Sequence, residues 1–497
     1  MKRYHQYRDI PSELLTRLKD QVKKSPYRQR FHIESDMGYL NDPNGVSYFD
    51  GKYHLFYQWS PLTYSEDSWY QGWYHLTSKD LVIWQDEGVG IQTDTVYETH
   101  GAYSGSAIAD GEQLIIFYTG NTRDDNYERI PYQLIAHFDK EGHLAKIVPP
   151  AITGYPTGYT DHFRDPKIWK TATGNYLAVI GAQRENSTGT AILMQSSNHK
   201  DWGIVGEVET NFTDFGYMWE CPNYFELDNS GILLFSPQGL KPEGNAYQNI
   251  YQTGYIIGDI IDESNHCLTK NGKFWELDKG FDFYAAQVMQ ENDRTILFAW
   301  MGLPEISYPT EEYSYCGCLT LPRELSLEGG QLKQRPISEL KNYRKVSIEN
   351  VELEANEFTE VIPFGSELAL SLKCENQELV TIDLVADENR EHYTRLICDF
   401  KQSQLILDRS VSGQPVGEAY GTTRVIHENF GMSVDLQIFL DRSSIEIFIN
   451  DGESVASSRI FPDENQTHLF VTKERSSRVT LSSWKLDLEG IVNDDSL

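Results

Sequence analysis

One unit recurs five times in the first two thirds of this chain, and it restricts the fold more than any other feature. Each copy is an apolar or aromatic run, a short polar turn, and a second apolar run that ends near Gly or Pro. The copies are residues 45–59, 105–121, 166–183, 222–238 and 284–302. Their turns are Asp50-Gly51, Asp110-Gly111, Thr173-Gly174, Asn229-Ser230-Gly231 and Asn292-Asp293. Such residues tolerate the left-handed backbone of a tight hairpin, so each copy reads as a β-hairpin. From turn to turn the steps are 60, 63, about 56 and about 62 residues. A period near 60 leaves room for about four strands per unit and predicts a five-bladed β-propeller.

A polar residue stands just before each hairpin: Asp42, Ser104, Asp165, Glu220 and Asp282, at intervals of 62, 61, 55 and 62. If that position starts the innermost strand of a blade, all five face the central channel at one end. Three carboxyl groups distant in sequence then converge. Paired carboxyls are the equipment of glycoside hydrolysis: one protonates the leaving oxygen and the other, ionised, attacks the anomeric carbon or activates water. Like charges held close push one pKa up and supply that division of labour; Glu220 sits in an apolar, aromatic setting (Tyr217, Met218, Trp219). A third carboxylate suits a transition state that carries positive charge. No DxDxDG loop and no histidine at ligand spacing accompany these acids, so neither a metal nor any other cofactor is expected.

The repeat fades after about residue 335. Residues 1–30 read as an N-terminal helical segment with Leu14, Leu15, Leu18 and Val22 on one face, 31–335 as the propeller, and 336–348 as a linker. Residues 349–497 carry seven or more short strands and read as a β-sandwich, so the fold class expected is all-β, a five-bladed β-propeller followed by a C-terminal β-sandwich.

Charge narrows the partners. The chain has 43 basic and 74 acidic residues, a net charge of −31, which argues against nucleic acid or an anionic membrane. No apolar run reaches a membrane-spanning length and the N-terminus has no signal-peptide stretch, so a cytoplasmic location is expected. Six cysteines without a framework pattern agree with a reducing compartment, and Cys316-Gly317-Cys318 has no second ligand pair to make a metal site. The 30 Tyr, 22 Phe and 10 Trp suit strands, and also the flat faces on which sugars stack.

At these residues the sequence resembles the invertase, sucrose-6-phosphate hydrolase and fructanase family of retaining glycosidases, glycoside hydrolase family 32. The matching segments include GYLNDPNG (38–45), FYQW (56–59), TSKDLVIW (77–84), AYSGSA (102–107), FRDPK (163–167), YMWECPN (217–223), FAWMG (298–302) and RSSIEIFINDG (442–452). The likeness covers about residues 30–487 and is strongest to the bacterial, cytoplasmic branch that acts on sucrose 6-phosphate. It implies a β-fructofuranosidase working by double displacement without a metal. Asp42 matches the nucleophile, Glu220 the general acid and base, and Asp165 the transition-state stabiliser. Tyr39, Leu40, Asn41, Gln58, Tyr103, Ser104, Arg164 and Trp300 match positions that line the fructose subsite. The chain departs from the family pattern at Tyr39-Leu40, at Tyr103 and at Trp73-Tyr74-His75.

The partner expected is a small sugar, sucrose 6-phosphate or sucrose. An exo-acting fructan hydrolase, a non-catalytic sugar-binding propeller and a propeller scaffold for protein partners are the competing readings. Arg184, Lys241 and Arg323 lie in segments that could supply a phosphate pocket. The sandwich carries no legible role, and a homodimer is compatible with it.

Overall fold

The computed structural model describes residues 2–62, 68–269, 272–488 and 491–492. Among them, five sheets form a propeller and two form a sandwich. The first strands of the five blades are Gly38–Phe49, Ala102–Asp110, Tyr159–Lys170, Met218–Leu227 and Tyr284–Glu291. Each packs against the first strand of the next blade, and the fifth packs against the first, which closes the ring. The remaining strands of each blade run outward as an antiparallel meander, four strands in blades two to five. Blade one is widened by Tyr315–Cys316, parallel to its inner strand, and by Ile491–Val492, parallel to its outer one.

The hairpin turns follow from left-handed residues. Asp50 and Gly51 have φ of 49° and 77°, which only a short polar side chain or glycine adopts cheaply. In blade four the turn falls on Asp228 and Asn229, between paired Leu227 and Ser230, one residue earlier than expected. Polar side chains latch neighbouring inner strands: Asn44 accepts from Gly105 N–H at 3.0 Å, and Asn223 from Val288 N–H at 3.1 Å. Strand Gly72–Ser78 carries Trp73-Tyr74-His75, and the His75 ring stacks on Phe56 at 4.1 Å.

Ahead of the ring, the helix Ser12–Val22 buries Leu18 and Val22 against the blade-one core. Past it, a short 3-10 turn at Ser338–Tyr343 leads into the sandwich. The first sandwich strand is Arg344–Glu352, so it starts inside the 336–348 stretch read as linker; Arg344 pairs there with Leu486. Each sandwich sheet has six antiparallel strands. Leu368, Leu370 and Leu372 alternate inward on Ser366–Lys373 and meet Ile382, Leu384 and Leu396 of the opposite sheet.

Buried ions join the two bodies. Arg323 of blade five donates to Glu446 and Asp278 at 2.6 and 3.1 Å, and His32 spans Asp441 and Glu446 at 2.9 Å each. Asp282 belongs to this seam. It accepts from Tyr308 Oη at 2.7 Å, Arg409 Nη1 at 2.8 Å and Arg459 N–H at 2.8 Å, so it does not face the channel as its spacing predicted.

Candidate active site

Each inner strand loses its pairing at the same place. The ladders shift between Leu40 and Pro43, Ala102 and Gly105, Arg164 and Lys167, Glu220 and Asn223, and Tyr284 and Gln287. Two residues bulge out at each shift and re-aim their side chains. Asp165, Cys221 and Ala285 sit there with φ of 70°, 47° and 52°. That left-handed conformation is costly for residues other than glycine and clusters where strain serves a site.

The bulges show that the three carboxyls are not register equivalents. Asp42 is the second bulged residue of its blade, Asp165 the first of its blade, and Glu220 the last paired residue before its bulge. The spacing was close enough to suggest convergence, but side-chain length and bulge geometry complete it.

They do meet. Asp42 accepts from Ser104 Oγ at 2.5 Å and from Asn41 Nδ2 at 3.1 Å. Cys221 lies between the acids: its Sγ is 3.5 Å from Asp42 Oδ2 and 3.7 Å from Asp165 Oδ2, and its N–H donates to Asp165 Oδ2 at 3.0 Å. Glu220, next in chain, accepts at Oε1 from Arg164 and at Oε2 from Gln238 Nε2 at 2.7 Å and Tyr284 Oη at 2.5 Å. Arg164 Nη1 in turn donates to His162 Nδ1 at 3.0 Å. Burial and the surrounding positive charge of Arg164 and Arg129 push His162 down to about 4, so its ring is neutral and free to accept.

Burial acts on the two aspartates. Burial lifts Asp42 to about 6, with Ser104 pulling the other way and Glu220 adding repulsion. Burial also lifts Asp165 to about 7, against the pull of Arg164 and with repulsion from Glu220 and Asp42. Glu220 is not left in an apolar setting: it is the acid that Arg164 grips. The sequence showed Tyr217, Met218 and Trp219 beside it but not the arginine that another blade brings in.

The expected subsite residues divide into two groups. Asn41 donates to Gln58, Ser104 touches Asp42, and Tyr103 accepts from Asn121 Nδ2 at 3.0 Å. Tyr39 meets Trp300 edge-on at 5.7 Å, and Trp300 lies beneath it, buried, with its indole N–H unpartnered. Leu40 does not line the site. Its side chain is fully buried in the blade-one core, because a strand turns alternate residues to opposite faces. Residues that sequence reasoning missed are Cys221, Gln238, Tyr284 and His162. Tyr284 had a usable signal, since it occupies the blade-five register position that Glu220 occupies in blade four; Asp282 drew attention because it is acidic.

Of the cations considered for phosphate, Arg184 donates from Nε and Nη2 to the two oxygens of Glu207, at 2.8 and 2.7 Å. Arg323 is the buried ion of the propeller–sandwich seam. Lys241 is exposed on a loop.

A ring of β-sheets that brings three carboxyl groups together beside one cysteine carries the equipment of a glycosidase. Residues 32–336 match the glycosyl hydrolases family 32 N-terminal domain and residues 338–485 match the family's C-terminal domain. The chain belongs to this family of hydrolases. It is 42% identical to a sucrose-6-phosphate hydrolase of Staphylococcus xylosus over 98% of both chains. Its fold superposes on the sucrose-6-phosphate hydrolase of Lactobacillus gasseri with a TM-score of 0.89, at 33% identity and 98% coverage of each chain. It also superposes on a Bombyx mori beta-fructofuranosidase in complex with sucrose with a TM-score of 0.81, at 31% identity, covering 97% of this chain and 98% of that one.

Proposed function

We propose that this chain is a retaining β-fructofuranosidase that hydrolyses sucrose 6-phosphate, and sucrose, to fructose and glucose 6-phosphate or glucose. The observation that carries the reading is the convergence of Asp42, Asp165 and Glu220 around Cys221.

Asp42 is the nucleophile. Two donors orient its carboxyl, and above pH 6 it is mostly ionised. Its oxygen attacks the anomeric C2 of fructose, the bond from C2 to the glucosyl oxygen breaks, and Glu220 gives its proton to that oxygen. Glu220 acts here in its protonated form, with Arg164 and Tyr284 in hydrogen-bond reach of its two oxygens. Asp165 faces the ring and offsets the positive charge of the oxocarbenium-like transition state. Water then gives its proton to Glu220, its oxygen bonds C2, and Asp42 leaves as carboxylate. Two inversions give net retention.

The location follows from the substrate. A sugar phosphate does not cross a bilayer unaided, so an enzyme that uses one works in the cytoplasm. No helix among the described residues is long and apolar enough to cross a membrane.

The test is hydrolysis of sucrose and sucrose 6-phosphate followed by NMR. Fructose should appear first as the β-furanose. Initial release of the α-anomer, or near-normal turnover by an Asp42→Ala variant, overturns the proposal.

A further inference from the structure

A sugar phosphate needs a cationic subsite, and a chain of net charge −31 must build one locally. One arginine near the site is half-buried, with two guanidinium nitrogens that have no hydrogen-bond partner. Arg129 opens the third strand of blade two and lies in register opposite Arg123, at the same end of the blade as Tyr103 and Ser104. Its Nε and Nη1 are buried and make no hydrogen bond, and its ion-pair partner Asp161 is 4.0 Å away. Buried donors left unpaired are costly and call for an acceptor.

Two histidines report the field around it. His162 is held down to about 4 by burial, then by Arg164 and Arg129. His100 is held down to about 4 by burial, then by Arg3, Arg123 and His5. Positive charge from three places in the chain therefore gathers on this rim. The rim also joins the reacting groups on two sides. Arg164 connects it to Glu220, the proposed acid at the leaving glucosyl oxygen. Asn121, two residues before Arg123, donates to Tyr103, whose neighbour Ser104 holds Asp42. Tyr127, 66% exposed, packs its ring against Arg123 at 5.4 Å and His100 at 5.9 Å and offers a flat face beside the cations.

We propose that Arg129, supported by Arg123, is the subsite that receives the 6-phosphate of the glucosyl group, with the unpaired Nε–H and Nη1–H donating to phosphate oxygens. The inference rests on the function proposed above and names the residues that set its preference for the phosphorylated sugar. Arg129 is the one cation of this group whose buried donors lack an acceptor; Arg184 and Arg323 already hold carboxylates.

The experiment compares kcat/KM for sucrose 6-phosphate and sucrose in the wild type and in Arg129→Gln. The ratio of the two should fall about tenfold or more, mainly through KM for the phosphorylated sugar, which is the scale of one charge-assisted contact. Equal losses on both sugars mean a structural role only and overturn the subsite. If Arg129→Gln does not fold, Arg123→Gln and product inhibition of the wild type decide. Glucose 6-phosphate should then inhibit at lower concentration than glucose, and equal inhibition overturns the proposal. A wild type that splits sucrose but shows no preference for its phosphate keeps the proposed function and loses this subsite. A wild type inactive on both loses the function and the subsite with it.

Discussion

Arg164 holds its Nε at 3.1 Å and its Nη2 at 2.6 Å from the same oxygen of Glu220. Its remaining Nη1 is occupied by His162. One guanidinium thus ties the proposed acid of blade four to a neutral histidine of blade three. A lysine has a single point charge and cannot make both contacts. Arg164→Lys should lower kcat/KM on sucrose about 10- to 100-fold, the scale of one lost hydrogen bond to a charged group. Wild-type kinetics in that variant would show that the fork has no part in turnover.

The two proposed reacting groups give separable losses. Asp42→Ala removes the atom that bonds to fructose and should reduce kcat by about 10⁴-fold or more, as loss of a covalent nucleophile does. Glu220→Gln should cost about 10²- to 10⁴-fold on sucrose. The first step of the Glu220 variant should recover with fructosyl fluoride, whose leaving group needs little protonation, and no such recovery is expected for the Asp42 variant. Recovery in both would contradict the assignment.

Acid pH should switch the enzyme off through Asp42 and Asp165. Burial lifts Asp42 to about 6, so it gains a proton as pH falls through that value and ceases to be a nucleophile. The profile of kcat/KM should therefore rise with pH through an acidic limb between about 6 and 7, because Asp165, lifted to about 7, must be ionised as well. The Ser104 hydrogen bond opposes the effect of burial, so Ser104→Ala should move the limb to higher pH. A limb that stays in place would mean that another group controls it.

Glu446 is the hub between the propeller and the sandwich. It accepts from Arg323, His32 and the Leu321 N–H. Glu446→Ala leaves Arg323 charged and buried, with Asp278 as its remaining carboxylate, and should cost about 3–5 kcal/mol of stability. Denaturant unfolding of the full chain measures this, and a change below 1 kcal/mol would exclude the hub role.

His32 makes the same seam sensitive to alkali. Burial by itself would lower its pKa, but the hydrogen bonds its ring donates to Asp441 and Glu446 prevail and raise it from 6.5 to about 9. A folded-state pKa above the unfolded one gives stability that is complete below pH 6.5 and lost as pH rises through about 9. The midpoint of urea unfolding should therefore fall between pH 6.5 and 9, and His32→Asn should flatten that fall. A steeper fall in the variant would reverse the sign and refute the linkage.

The propeller was legible because a closed ring of blades repeats its hairpin at a nearly constant interval, and turn chemistry marks each copy. The sandwich was legible in its central strands, where alternation is clean, as at Leu368, Leu370 and Leu372. The pattern is weaker on its edge strands Glu357–Val361 and Thr423–Glu428, since strands at an edge need not alternate sharply.

The sequence by itself determined the recurring hairpin, the acids before it and the turn residues, because local backbone preference and periodicity act over a few residues at a time. Tertiary structure decided which side chains touch. Arg164 reaches Glu220, Cys221 bridges Asp42 and Asp165, Asp282 turns away to Arg409, and Arg129 keeps two guanidinium nitrogens without a hydrogen bond. Those outcomes depend on where each ladder bulges and how neighbouring blades pack. Both are settled by contacts between residues far apart in the chain, and no local pattern records them.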